Sequence, residues 1–389
     1  MKTPLRGALI GYGFIMEKGH GAAYQQRMRG EWRGPTAAGR AQQQLAQPSD
    51  VRIVAIADLS EARRKLAVEH FPGVRVYPDH LALLEAEAAH LDFVDIATPP
   101  AEHAAVAKAA LDRGLHVLCE KPLATSIADA REMLEAARDA KRVLFPCHNY
   151  KHAPVIKNVR RIIEAGEIGR VHLVTLQTFR NTHARGVTDW RPNWRRERRH
   201  SGGGIAMDHG SHTFYLAFEW LRSYPTAISA RMSTMGNFDT EDDLSCSLRF
   251  PTGVASAHLS WQAGVRKVIY TIHGDHGAIR VEDDAIEVAR AGRGTSISSP
   301  EMAWKFERLD VPSDWMDSSH VTWFNSLFDD FQRAIAQGEW VGKDAEESFL
   351  CIELIQTAYA SAQDASRELP LGRQVTETLP EQRKLRQRA

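Results

Sequence analysis

The 389-residue sequence has no uninterrupted apolar run of the roughly 20 residues that span a bilayer, so helices crossing a membrane are not expected. It has only four cysteines, Cys119, Cys147, Cys246 and Cys351, and none forms a C-x-x-C pair. Thiols spaced this widely suit a reducing compartment and ordinary buried side chains better than a disulfide framework. There is no excess charge of either sign, since Lys plus Arg and Asp plus Glu both number 49. Global electrostatics therefore favours neither nucleic acid nor an acidic membrane, and small molecules are the expected partners. Met1–Ile10 carries only Lys2 and Arg6 and runs into a strand pattern without a small-residue cleavage site. A signal peptide is not expected, and a cytoplasmic location is. No internal repeat is present.

What is there is enough for two domains: 43% apolar and 25% charged residues over a length at which one core usually stops growing. Up to about residue 148, short apolar runs alternate with helix-period stretches, the pattern of βαβ units around a parallel sheet. Strands are expected at Gly7–Ile10, Val51–Ala57, Val74–Tyr77, Phe93–Ala97, His116–Cys119 and Val143–Phe145, with helices at Glu61–His70, Ala101–Asp112 and Ile127–Asp139. From 149 to 372 the pattern becomes a helix at Val155–Ala165, then mostly β segments, then helices at Val321–Ala336 and Ala345–Ala362. In the pair Leu244–Phe250 and Val254–Trp261, apolar residues alternate on either side of Pro251-Thr252-Gly253, which reads as an antiparallel hairpin with one buried face. The expected fold class is an α/β Rossmann domain followed by an α+β domain with a largely antiparallel open sheet. Arg27–Asp50 reads as an insertion and residues 373–389 as a polar tail.

Several motifs point to chemistry. Gly11-Tyr12-Gly13-Phe14-Ile15 follows the first strand, where glycines permit a tight turn and close approach of a pyrophosphate to a helix N-terminus; Met16 occupies the third small position of G-x-G-x-x-G. Asp58 ends the second strand, placed either to accept ribose hydroxyls or to cap the next helix, and the insertion accounts for its distance from the glycines. Together the strand, glycines, helix and acid favour a dinucleotide site. Ala97-Thr98-Pro99-Pro100 and Glu120-Lys121-Pro122 follow two further strand ends and face the same crevice. Lys121 there is either a cation beside a nicotinamide or a surface lysine. Downstream of Ser201-Gly202-Gly203-Gly204, Asp208 and His212 lie four apart and share a helix face, so the carboxylate can orient the imidazole as a general base, or the pair is structural. Asp208, His209 and His212 lack the H-E-x-x-H spacing and paired cysteines of common zinc sites, and no metal is expected. Trp190–His200 concentrates arginine, either as a solvated face or as a binder of a substrate carboxylate or phosphate.

These residues resemble the glucose-fructose oxidoreductase, inositol dehydrogenase and rhizopine-catabolism family (Gfo/Idh/MocA) over nearly the whole chain. The most specific stretches are Gly114-Leu115-His116-Val117-Leu118-Cys119-Glu120-Lys121-Pro122-Leu123-Ala124 and Ser201–Gly204 with Asp208 and His212. The resemblance implies an NAD(P)-dependent oxidoreductase that moves a hydride between the nicotinamide and a hydroxyl carbon of a sugar, inositol or related polyol. Its catalytic residues would be Lys121, Asp208 and His212, with the histidine as acid/base. It implies cofactor contacts from Gly11, Gly13, Phe14, Ile15, Asp58, Thr98, Pro99, His103, Glu120 and Lys121, and a substrate site lined by Lys121, Asn149, Trp190, Arg191, Arg195, Asp208 and His212. NAD is expected over NADP, because Asp58 would repel a 2′-phosphate. The sequence departs from the family pattern at Met16, in the insertion, and at Tyr215, where an aspartate often follows the histidine. Two competing functions are open: a glycosidase that uses NAD as a transient oxidant and needs the same residues, and, third, a dinucleotide-binding regulator without turnover, which predicts loss of the catalytic residues although Lys121, Asp208 and His212 are all present. A homo-oligomer formed through the C-terminal sheet is the expected assembly.

Overall fold

A computed structural model of the chain describes residues 3–32, 34, 49–291, 304–313 and 315–372. Most of the expected insertion and all of the expected polar tail therefore lie outside the described residues. The chain divides into two compact units: Met1–His152 with Ala184–Gly202 and Asp317–Ile352, and Ala153–His183 with Gly203–Met316 and Glu353–Ala389.

The first unit is built on six parallel strands, β1 (Leu5–Ile10), β2 (Val51–Ala57), β3 (Arg75–Tyr77), β4 (Phe93–Ile96), β5 (His116–Cys119) and β6 (Leu144–Pro146), in the order β3-β2-β1-β4-β5-β6. Its helices are α1 (Gly21–Met28), α2 (Glu61–His70), α3 (His80–Glu87), α4 (Pro100–Leu111) and α5 (Ile127–Ala140). Apart from exposed Arg52, Val51–Ala57 is apolar and buried because helices cover both faces of a parallel sheet. Ser126 opens α5 as expected, its hydroxyl accepting from Asp129 N at 3.0 Å. The strand order reverses between β1 and β4, and the register pairs Ile10 with both Ala57 and Ile96, and Ile96 with Cys119. The residues that follow these four strands therefore emerge side by side, at the edge where open α/β sheets bind ligands.

The second unit begins with α6 (Pro154–Glu164), and its sheet comprises β7 (Val171–Phe179), β8 (Ala227–Ser233), β9 (Asp243–Phe250), β10 (Gly253–Ser260), β11 (Lys267–Gly274), β12 (Gly277–Glu282), β13 (Ala285–Ala291), β14 (Trp304–Asp310) and β15 (Leu369–Pro370). These nine strands run in the order β14-β13-β12-β11-β7-β10-β9-β8-β15, antiparallel except for the β7–β10 pair. Phe250 pairs with Gly253 across a two-residue Pro251-Thr252 turn. Leu244, Cys246, Leu248, Ala255, Ala257 and Leu259 are buried, while the alternate Ser245, Ser247, Ser256 and His258 remain at least partly exposed. The short α7 (Arg198–Ser201) belongs to the first unit; α8 (Ile205–Leu221) belongs to the second and packs on β7, β9 and β10.

One boundary differs from the division read from the sequence, which placed everything between 149 and 372 in the second domain. The apolar stripe of α9 (Val321–Gln337) instead joins the first unit: Leu327, Phe328 and Phe331 share a core cluster with Leu9, Val51, Ile56, Phe93 and Phe145. The Phe93 ring lies 5.6 Å from both Phe328 and Phe331. The last helix, α10 (Lys343–Gln363), begins in the first unit and ends in the second. Because Phe331 is fully buried among these rings, Phe331→Ala should destabilise the protein by about 3–5 kcal/mol. Denaturant unfolding of the variant would show this as a lower midpoint. A loss below about 1 kcal/mol would mean that α9 does not close this core.

Candidate active site

At the edge of the first sheet, Gly11 has φ +84°, and a Cβ there would lie 2.9 Å from the Ala97 carbonyl oxygen and the Thr98 nitrogen, so only glycine lets β1 pass this close to the β4 end. Nothing lies within 4 Å of a Cβ built on Gly13, which leaves that side of the turn open. Phe14 is exposed and Ile15 half-buried. The following helix contains a π-helical segment, Met16–His20, and Met16 is fully buried, so the side chain in the expected small position turns into the core. Asp58 accepts hydrogen bonds from Tyr12 N at 2.6 Å and Ser60 N at 2.7 Å, fastening the glycine turn to the end of β2. Thr98 Oγ1 is buried without a hydrogen-bond partner, the kind of orphaned donor that a ligand hydroxyl or amide satisfies. Open space at Gly13, a held acid at Asp58 and an orphan hydroxyl at Thr98 fit a dinucleotide.

His103 is expected from the family resemblance to touch the cofactor. It is fully buried, with one ring nitrogen 2.9 Å from the Thr98 carbonyl oxygen and the other 2.9 Å from that of Pro122. It lies between the turns that follow β4 and β5, and burial lowers its pKa, so the neutral ring has one N–H to donate to one of these carbonyls. Pro99 caps α4. Glu120 is buried too: Oε2 accepts from Lys121 N at 3.0 Å and Oε1 lies 3.0 Å from His20 Nε2, a residue that carried no motif in the sequence. The Lys121–Pro122 peptide is cis.

In the second unit, the glycine run has a packing cause. A Cβ on Gly203 would fall 1.8 Å from the Tyr359 hydroxyl, and one on Gly204 would fall 1.9 Å from the Glu241 carbonyl oxygen. Buried Glu241 caps α8: its Oε1 accepts from Gly204 N, Ala206 N and the Tyr359 hydroxyl, each at 2.9 Å. A carboxylate at a helix N-terminus satisfies orphan N–H groups and faces the positive end of the dipole. Asp208 and His212 both lie on α8, where Asp208 Oδ2 is 3.7 Å from His209 Nε2. His212 is buried, and its Nδ1 is 2.7 Å from the hydroxyl of fully buried Tyr215. Tyr215, read from sequence only as a departure from the family pattern, thus engages one nitrogen of the candidate base.

The Trp190–His200 segment falls in the first unit, and three of its arginines contact other residues of the segment. Arg191 donates to Glu197 at 3.3 Å, Arg199 to Glu197 at 2.7 Å, and Arg195 lies over the Trp194 ring at 4.2 Å. Trp190 packs edge-on against His200. Asn149 is buried in a short turn that follows β6. Potential metal-ligand atoms of His148, Asp344 and Glu347 also converge, but the Lys151 ammonium contacts both carboxylates at 2.5 and 2.6 Å and already supplies the cation there.

Comparison with known proteins finds matches for both halves of the chain. Residues 5–148 match the family described as "Oxidoreductase family, NAD-binding Rossmann fold", and residues 156–280 match "GFO/IDH/MocA C-terminal domain". A levoglucosan dehydrogenase of Pseudarthrobacter phenanthrenivorans is 29% identical over 311 residues, covering 71% of this chain and 73% of that one. A D-apiose dehydrogenase of Paraburkholderia graminis is 29% identical over 326 residues, covering 80% and 81%. The structure of a levoglucosan dehydrogenase in complex with NADH superposes with a TM-score of 0.76 at 23% identity, over 95% of this chain and all of that one. The Glu241 cap generates a prediction: Glu241→Ala leaves two helix N–H groups and the Tyr359 hydroxyl without their acceptor, and should destabilise the protein by about 2–4 kcal/mol. Glu241→Gln, which keeps an acceptor oxygen, should recover part of the loss. Equal melting temperatures for wild type and the alanine variant would remove Glu241 from this role.

Proposed function

The chain belongs to the Gfo/Idh/MocA family of oxidoreductases, and from that premise we propose that it is an NAD-dependent dehydrogenase or reductase acting on a hydroxyl carbon of a sugar. The observation that carries this reading is the convergence of the Gly11–Gly13 turn, Asp58, Thr98 and Glu120-Lys121 at adjoining strand ends of the first sheet. The substrate class is supported by the named relatives, which act on levoglucosan and D-apiose.

When bound, the nicotinamide exchanges a hydride with the reacting carbon. The work of this chain's residues is binding, orientation and proton movement. The open side of Gly13 admits the pyrophosphate, and Asp58 accepts from the adenosine ribose. His212 takes the substrate hydroxyl proton at Nε2, which requires Nδ1 to carry hydrogen and donate to the Tyr215 oxygen. The Lys121 ammonium stabilises the developing alkoxide, and Asp208 is the carboxylate that supports the charged site. Arg64, a cation next to Asp58, donates to the Asp58 and Leu59 carbonyl oxygens at 2.7 and 3.1 Å, so its guanidinium is held by backbone.

Two measurements test the reading. A panel of levoglucosan, D-apiose and other sugars with NAD, and of ketosugars with NADH, should give turnover at the nicotinamide absorbance. His212→Ala should lower kcat by about 10²–10⁴-fold with NADH affinity nearly unchanged, and Tyr215→Phe by about tenfold. Lys121→Ala should lower kcat and weaken NADH. Deuterium at the reacting carbon should appear on the nicotinamide, and its absence together with near-normal turnover in the His212 and Lys121 variants would sink this mechanism. In the second measurement, NADH should bind at least about tenfold tighter than NADPH, a difference of roughly 1.4 kcal/mol. Equal or tighter binding of NADPH would show that Asp58 does not select the cofactor.

A further inference from the structure

The proposed reaction leaves one buried polar cluster of the first unit unused. His20, in the π-helical segment, is 2% exposed and lies between two buried carboxylates: Nδ1 is 2.7 Å from Asp95 Oδ2, and Nε2 is 3.0 Å from Glu120 Oε1. The Tyr24 hydroxyl donates to the same Asp95 oxygen at 2.7 Å, and Lys121 N donates to the other Glu120 oxygen at 3.0 Å. Ionised carboxylates only accept, and a neutral imidazole has one N–H to give. Both contacts are made at once only if His20 is an imidazolium or one acid is protonated. The charge balance decides for the imidazolium. Burial works against the cation, but Asp95 and Glu120 together outweigh it and lift the His20 pKa to about 10. The His20 cation and the Lys121 charge keep Glu120 below the usual carboxylate range despite its burial. The other titratable groups near the cluster, Tyr24, Cys119 and Cys147, are driven upward by burial and stay neutral. From α9, the Phe324 ring lies 4.0 Å from the His20 ring and fixes its plane.

We propose that His20 is a positioning residue of the active site: as a buried imidazolium between Asp95 and Glu120, it fixes the Glu120 carboxylate and, through the Lys121 amide that this carboxylate accepts, the placement of Lys121. The consequence for function rests on the role given to Lys121 above. A group held through a chain of two hydrogen bonds moves when the first is lost, and a displacement of about 1 Å at a reacting group can cost on the order of 10²-fold in rate. Removing the cation also leaves two buried carboxylates facing each other, so one of them takes up a proton.

The test uses the full-length protein labelled with 15N-histidine. The resonance lost in His20→Gln should show two protonated ring nitrogens at neutral pH and keep them well into the alkaline range; a neutral ring at pH 7 would overturn the proposal. If that variant does not fold, Glu120→Gln removes one of the two carboxylates and should bring the titration of the same ring down toward neutral pH, while an unmoved titration would overturn it. On any sugar that turns over, His20→Gln should lower kcat by about 10–100-fold with KM changed by less than about threefold, and the double variant with Glu120→Gln should be no worse than the poorer single variant. Tyr24→Phe removes a hydrogen bond from the same cluster without touching Glu120, so it should lower Tm and spare kcat. Additive losses, an unchanged kcat in folded His20→Gln, or parallel losses of kcat in the Tyr24 variant would reduce His20 to a structural residue. If no sugar turns over, the dehydrogenase reading fails separately, and the nitrogen spectra still decide the charge of His20. In that case NADH titrations followed by tryptophan fluorescence should show a loss of about 3–10-fold in His20→Gln, not additive with Glu120→Gln, and an unchanged affinity would overturn the positioning role.

Discussion

Three carboxylates, Asp58, Asp95 and Glu120, come from the carboxyl ends of β2, β4 and β5, strands that flank or follow β1 in the first sheet, and the unit is organised around giving them partners in place of water. A buried ion costs several kcal/mol unless partners replace its hydration. Backbone N–H groups of Tyr12 and Ser60 do this for Asp58, which couples the glycine turn to β2. One histidine lies between the other two acids, with the Tyr24 hydroxyl donating to Asp95 and the Lys121 amide to Glu120. That solution requires His20 to reach between β4 and β5 from the helix that follows the glycines, and the π-helical segment places it there. It also requires a cover for the imidazole, which α9 provides with Phe324. The late return of residues 317–352 to the first unit therefore completes both an aromatic core and a charge cluster.

The second unit handles a helix end in a comparable way. Before α8, Gly203 and Gly204 are demanded by Tyr359 and Glu241, which approach closer than any side chain would allow. The same close approach lets one carboxylate oxygen meet two helix N–H groups and a phenol. A start fixed in this way gives Asp208 and His212 a rigid base of support, which matters more for a residue that must meet a reacting atom than for one that only fills a core.

Much of this architecture was legible from periodicity. Val51–Ala57, Glu61–His70, His116–Cys119 and Val171–Phe179 fall where their patterns place them, because burial on one or two faces imposes a period that the residues must obey. Less was legible where the cause is long-range. The stripe of α9 showed that the helix buries a face, but not which core receives it. His20 had no motif, since its partners lie 75 and 100 residues away and a histidine in a helix gives no hint of them. Glu241 is likewise 37 residues from the glycine it caps. His103, which the family resemblance assigned to the cofactor, is fully buried between the Thr98 and Pro122 carbonyl oxygens, partners that no local pattern announces.

In the acid/base role proposed for His212, the partner of its Nδ1 matters, and here that partner is Tyr215. A carboxylate only accepts, so opposite Nδ1 it enforces the tautomer in which that nitrogen carries hydrogen and the other nitrogen is free to take a proton. A phenol hydroxyl both accepts and donates. At 2.7 Å from Nδ1, the Tyr215 oxygen can serve the tautomer that removes a proton from an alcohol and, by reversing its own hydrogen, the tautomer that presents N–H to a carbonyl oxygen. A carboxylate in that place would hold the ring in one of these states, whereas a buried phenol makes both available without moving a heavy atom. The substitution thus bears first on the direction in which the histidine is ready to work, and the burial of both rings on α8 keeps bulk water from setting the tautomer instead.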